Sequence, residues 1–209
     1  MYSKTKILFL CLSVFFIAGG CINFKQPRNR VQHYLLEYAT PEIKGLKPLS
    51  VSLKMERFSV APAYNTNRII YRDASFKRDE YFYHKWRANP GDMVTYFLSR
   101  DIRNSGLFKA VLPQGSDFPF SCVLEGSVNE FVEWDGPEGW NAVLGVTVTL
   151  MAANEPDISK RILFQKSYRV EKPFTEKNPQ GLAQAMSLAM RDISTNIIKD
   201  IYGVLKNWV

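Results

Sequence analysis

Three stretches of the C-terminal half alternate apolar and polar positions. The apolar sets are Phe120, Cys122, Leu124 and Val128; then Ala142, Leu144, Val146, Val148 and Leu150; then Ile162, Phe164, Tyr168 and Val170. A period of two is the pattern of strands that bury one face. The breaks Asp135-Gly136-Pro137 and Asn154-Glu155-Pro156-Asp157 carry turn residues, so the three strands are predicted to form an antiparallel meander. Upstream, Val51, Leu53 and Met55 alternate with Ser52, Lys54 and Glu56 before the parity changes to Phe58 and Val60, which predicts a strand with a bulge near Glu56-Arg57. Pro62 ends it. Residues 67–72 (NRIIYR) read as a strand pairing with it, and residues 33–38 (HYLLEY) as the first strand of the chain.

Two segments change to a helical period. Asn89-Pro90-Gly91-Asp92 opens the first with an N-cap asparagine, a proline at the first helical position and an aspartate in the first turn. Its apolar rows are Val94, Leu98, Ile102 and Met93, Phe97, and Gly106 stops it. Asn178-Pro179 repeats the start signal, and Leu182, Met186, Ala189, Ile193, Ile197, Ile201, Leu205 and Trp208 then recur at spacings of three and four. That stripe is wide enough to lie on a sheet, and Lys199 and Lys206 are too few to make a membrane-surface helix. The predicted fold class is α+β: a mainly antiparallel sheet with two helices packed on one face, a two-layer sandwich.

The first twenty residues follow a different rule. Lys4 and Lys6 precede an apolar run at residues 7–18, followed by Gly19-Gly20-Cys21, the three-part layout of a secretory leader. The run is too short for a transmembrane helix, which needs about 20 apolar residues. Ala18-Gly19-Gly20-Cys21 resembles the bacterial lipobox, whose cysteine is acylated and becomes the new amino terminus, although a lipobox usually has Leu where Ala18 stands. Ala18 and Gly20 also satisfy ordinary signal peptidase; both routes cut between Gly20 and Cys21. Lipidation at Cys21 is the favoured expectation, because an unpaired exposed thiol is a liability outside the cytoplasm. The predicted organisation is a lipoprotein-type signal peptide at 1–20, a lipidated N-terminus and tether at 21–32, and a single domain at 33–209.

Cleavage would leave 25 Lys and Arg against 20 Asp and Glu, a net charge near +5 compared with +7 for the whole chain. That balance suits an anionic lipid surface. Nucleic acid is not an expected partner, since the basic residues are scattered among acids and the chain is read as exported. With Cys11 in the leader and Cys21 acylated, Cys122 has no intramolecular partner and reads as a small buried apolar residue.

Chemistry is sparse. His33 and His84 are the only histidines and have no HxxxH or CxxC companion, so no metal is expected. No phosphate loop, GxSxG elbow or GxGxxG fingerprint is present, so neither catalytic residues nor cofactors are assigned. Glu130, Glu133 and Asp135 read as solvated acids at a strand end. The densest segment is 71–87 (YRDASFKRDEYFYHKWR), where aromatics alternate with basic and acidic residues. Two readings stand: a twisted hairpin whose aromatics fill a sheet edge, or an interface in which Tyr81, Tyr83, Trp86 and Arg87 meet a partner.

Dispersed motifs add a family. Tyr34-Leu35-Leu36, residues 51–62, Arg68-Ile69-Ile70-Tyr71, Trp86 with Pro90, residues 107–111, Leu124-Glu125-Gly126-Ser127-Val128 and the alanine-rich last helix resemble the auxiliary lipoproteins of ABC-type transport systems, the group that includes the PqiC lipoprotein. The resemblance covers roughly residues 33–206. It implies a non-enzymatic lipoprotein of the cell envelope, anchored through acyl chains such as palmitate in the outer membrane and facing the periplasm. Its implied partners are an MCE-domain protein and an ABC permease and ATPase, together moving phospholipid between inner and outer membranes. Homo-oligomerisation stays open. The alternative reading is an outer-membrane assembly or envelope-scaffold lipoprotein.

Overall fold

The computed structural model describes residues 30–208. The leader, the Gly20–Cys21 cleavage site and Cys21 itself lie outside the described residues. The spine of the fold is a meander of three long strands, β7 (Cys122–Gly136), β8 (Gly139–Ala152) and β9 (Ile162–Phe174). They pair antiparallel along nearly their whole length, as the alternation predicts.

The other flank of β7 is built differently. It receives three short parallel partners in succession: β2 (Leu49–Met55) opposite Cys122 to Leu124, β3 (Ser59–Val60) opposite Ser127 and Val128, and β4 (Arg68–Arg72) opposite Glu133 and Trp134. Beyond these, β6 (Phe108–Leu112) joins β2 in parallel, β5 (Arg78–Trp86) joins β4 antiparallel, and β1 (Gln32–Tyr34) joins β5 in parallel. The sheet is therefore mixed, although its two longest ladders are antiparallel.

Four local expectations change. The first strand is three residues long instead of spanning 33–38. Residues 56–58 separate β2 from β3 where one bulged strand was expected. The strand at 68–72 pairs with β5 and β7, not with its sequence predecessor. A strand not anticipated, β6, follows the turn at Gly106, whose positive φ of 65° ends the preceding helix.

Helix α1 (Pro90–Asn104) starts as its sequence signals: the Asn89 side chain accepts from the Gly91 N–H at 2.9 Å. A one-turn helix, α2 (Ile158–Arg161), connects β8 to β9. Helix α3 (Pro179–Lys206) is capped by Asn178, which accepts from the Gly181 N–H at 2.7 Å. It crosses β8 and β9 while α1 lies over β6 and β7, and the two helices touch. Leu182, Met186, Ala189, Ile193, Ile197, Ile201 and Leu205 are buried against the sheet, whereas Trp208 lies past the helix end and is partly exposed.

The opposite sheet face stays polar. Asn129 Nδ2 donates to Thr147 Oγ1 at 2.6 Å, and the Thr147 and Ser167 hydroxyls share a bond of 2.8 Å across the next strand. The result is the two-layer α+β sandwich.

Candidate functional site

The aromatic segment folds as the β4–β5 hairpin, and the structure sorts its residues into inward and outward groups. Trp86 faces inward. It is 1 % exposed, and its ring meets Phe131 edge-on at 5.1 Å and 81°. Its backbone N–H donates to the Asn67 carbonyl at 2.7 Å, locking the base of β5 beside β4. Trp86 therefore supports the hairpin from within the core and does not face a partner, which corrects its place among the interface candidates. Size and apolarity decided this: a Trp at the base of the hairpin removes a large apolar surface from water.

Above Trp86 the ladder breaks. Lys85 pairs with Arg68 and Glu80 pairs with Ile70, so Tyr81, Phe82, Tyr83 and His84 together have only Ile69 opposite them. In a regular strand, consecutive residues point to opposite faces; a bulge re-aims them. Tyr81 turns inward. Its hydroxyl donates to both carboxylate oxygens of Glu133, at 3.1 and 3.0 Å, and its ring meets Tyr71 at 5.2 Å. Phe82 and Tyr83 turn outward, 78 % and 40 % exposed, with their rings in edge contact at 4.7 Å. His84 Nδ1 and the Tyr34 hydroxyl lie 3.0 Å apart. Arg87 is exposed, and its backbone N–H donates to the Tyr34 carbonyl at 2.7 Å.

Of the four interface candidates, Tyr83 and Arg87 thus reach the surface, Tyr81 is half-committed to Glu133, and Trp86 is core. The interface candidates included neither Phe82 nor Phe76, although both lie in the aromatic segment; Phe76 stands fully exposed in the loop between β4 and β5.

Glu133 is fully buried, not a solvated strand-end acid. A register shift between Val128 and Glu130 inverts the parity of β7, so the core face passes from Cys122, Leu124 and Val128 to Phe131 and Glu133. Burial pushes the Glu133 carboxyl above the usual carboxylate range, and Asp135 adds to this; the Tyr81 hydrogen bond and Lys177 oppose it. Lys177 forms an ion pair with Asp135. Glu130 has two cationic neighbours, Arg72 and Arg169. Cys122 is buried, and burial pushes its thiol up to about 11.

Residues 34–198 match the family model described as the ABC-type transport auxiliary lipoprotein component. The chain belongs to that family. It is a family of cell-envelope lipoproteins serving transport, not a family of enzymes. The motifs that carried the resemblance are packing motifs: Leu36, Phe58, Ile69 and Trp86 are all core residues, and Gly126 lies against the Phe58 ring. No curated protein matches the chain significantly in sequence.

Solved structures share the fold. The chain is similar to protein XCC0632 from Xanthomonas campestris, of the DUF330 family model, at 17% identity and a TM-score of 0.75, covering 85% of this chain and 99% of that one. An uncharacterised protein aligns with a TM-score of 0.59 at 12% identity, covering 78% and 99%. The hypothetical protein CT253 from Chlamydia trachomatis aligns at 0.51 with 8% identity, covering 75% and 98%. No helix among the described residues is long and apolar enough to cross a membrane.

Proposed function

We propose that the protein is a lipid-anchored auxiliary subunit of an ABC transport system that moves phospholipid between the inner and outer membranes. Acylated Cys21 holds it at the outer membrane facing the periplasm, and the domain serves an MCE-domain partner without catalysing a reaction itself. The observation that carries this reading is the family match over residues 34–198 in a chain whose leader is followed directly by Cys21. Two or more acyl chains anchor stably where one does not, at about 0.8 kcal/mol per buried methylene. The ATPase is a separate subunit, since the chain carries no nucleotide-binding motif.

Affinity capture of the tagged protein from crosslinked envelopes tests the partnership. MCE-domain and permease subunits are expected among the captured proteins; capture of outer-membrane assembly factors in their place overturns it. Mass spectrometry of the mature N-terminus tests the anchor separately, with a diacyl or triacyl Cys21 as the expected species.

A further inference from the structure

We propose that the tip and bulge of the β4–β5 hairpin form a lipid-facing rim that seats the domain on an anionic bilayer beside its own anchor. The inference rests on the anchoring proposed at Cys21 and adds a second, non-covalent membrane contact.

The first argument is directional. β1 runs parallel to β5, with Gln32 opposite His84 and Tyr34 opposite Trp86. Traced backwards from β1 toward its N-terminus, the chain runs the same way as β5 traced from Trp86 toward the hairpin loop. The hairpin loop therefore lies at the end of the domain toward which the N-terminal end of β1 points. The ladder places Val31 at the level of Tyr83. From there to Arg78, where β5 begins, is about 17 Å at roughly 3.3 Å per residue, and Phe76 lies beyond.

The second argument is reach. Ten residues separate Cys21 from Val31. That stretch spans at most about 35 Å. The distance along β5 from Tyr83 to Arg78 lies within that limit, so the hairpin loop can meet the surface to which an acylated Cys21 is fixed.

The third is chemistry. Phe82 and Tyr83 are exposed together because the bulge re-aims both, and Phe76 and Val31 add exposed apolar surface. Aromatic side chains favour the membrane–water boundary, and cations beside them favour anionic headgroups. The hairpin ion pairs are Arg68 with Glu80 and Lys77 with Asp79, leaving Arg78, Lys85 and Arg87 without a carboxylate partner among the described residues. Lys25, Arg28 and Arg30 precede β1 in the sequence.

The test uses the mature chain with Cys21→Ser, so that acyl chains do not decide the outcome. It is co-sedimented with vesicles of phosphatidylethanolamine containing phosphatidylglycerol, and with neutral phosphatidylcholine vesicles. The expected result is binding that prefers the anionic vesicles and weakens about tenfold or more in the combined Phe76→Ala, Phe82→Ala, Tyr83→Ala variant. Phe118→Ala removes an exposed ring outside the hairpin and is expected to bind as the parent does. Phe82→Trp keeps an interfacial ring and is expected to bind at least as tightly, which separates loss of contact from loss of fold. Equal binding by the parent and the triple variant, or no preference for anionic vesicles, overturns the proposal. Unchanged vesicle binding with lost capture of a transport subunit likewise overturns it, assigning the rim to a protein. An unmodified Cys21 in the separate mass measurement removes the anchor and leaves the vesicle result standing.

Discussion

Trp86→Ala separates the two readings of the aromatic segment, because a core residue and an interface residue fail in different assays. The Trp86 side chain is 1 % exposed and meets Phe131 edge-on. A buried Trp removes about 150–250 Å² from water and gains a further ~1 kcal/mol from an edge-to-face partner. At about 25 cal/mol per Å², the apolar term is about 4–6 kcal/mol for the whole side chain, of which Ala keeps a small part. Truncations of buried Phe and Trp to Ala cost about 3–5 kcal/mol. The expected loss is therefore about 4 kcal/mol, or a melting temperature lower by about 8–16 °C for a domain of this size. Urea titration followed by circular dichroism reads it directly. At a slope of about 2–3 kcal/mol per molar, the midpoint moves down by about 1.3–2 M with the slope unchanged. Tyr83→Ala, one bulge away but outward-facing, is expected to stay within about 0.5 kcal/mol of the parent. Equal midpoints for Trp86→Ala and the parent would refute the inward placement of the ring.

Gly126→Ala is expected to cost about 2–3 kcal/mol, since a Cβ there would run into the Phe58 ring and the Thr147 carbonyl, neither of which can move freely; the urea midpoint measures it. Glu133→Gln is expected to change the pH dependence of stability. Burial raises the folded-state pKa of Glu133, so its contribution is fully present below the unfolded value and is lost as pH rises through the folded one. The stability of the Gln variant relative to the parent should grow with pH across and above the carboxylate range, and a difference constant with pH in urea titrations rejects this. Asn178→Ala removes the acceptor of the Gly181 N–H and should cost about 1 kcal/mol, read as a lower thermal midpoint.

The elements legible in the sequence are those specified locally. Asn89-Pro90 and Asn178-Pro179 cap the helices they announce, and the alternation at 142–150 sits against α3 as its parity requires. What could not be read depends on partners distant in sequence. Alternation reports which face a residue takes, not which strand lies beside it, so the parallel pairings of β2, β3 and β4 on β7 left no local mark. Glu133 was misread for a related reason. Its neighbours Phe131 and Trp134 are both large and apolar, and the one-residue shift at Asn129 inverts the parity by which a buried glutamate could be recognised. The parity change from Val128 to Phe131 was the available signal. In the hairpin, composition identified an unusual segment but could not separate Trp86 from Phe82, because that depends on the bulge opposite Ile69.

The burial pattern around β1 also bears on how so short a strand would take the pull of the proposed anchor. β1 has only three register partners on β5, too little to resist a tether by itself. The following residues leave the sheet and fasten to both helices. Leu36 is buried in the core, the Glu37 N–H donates to Ser187 Oγ on α3 at 3.0 Å, and the Tyr38 hydroxyl donates to Asp101 Oδ2 on α1 at 2.7 Å. Asp101 is itself fully buried and is held from its other oxygen by Arg100, whose Nε and Nη2 donate at 2.9 and 2.8 Å while its guanidinium stacks on the Tyr38 and Phe97 rings. A buried carboxylate satisfied by a cation and a hydroxyl is costly to break, because losing either donor leaves charge unpaired in the interior. Tension applied at Cys21 would therefore pass through β1 into α1 and α3 as well as into the β5 strand that pairs with it. The attachment is rigid where the chain joins the core, and the exposed aromatic pair is free to meet whatever surface lies under it.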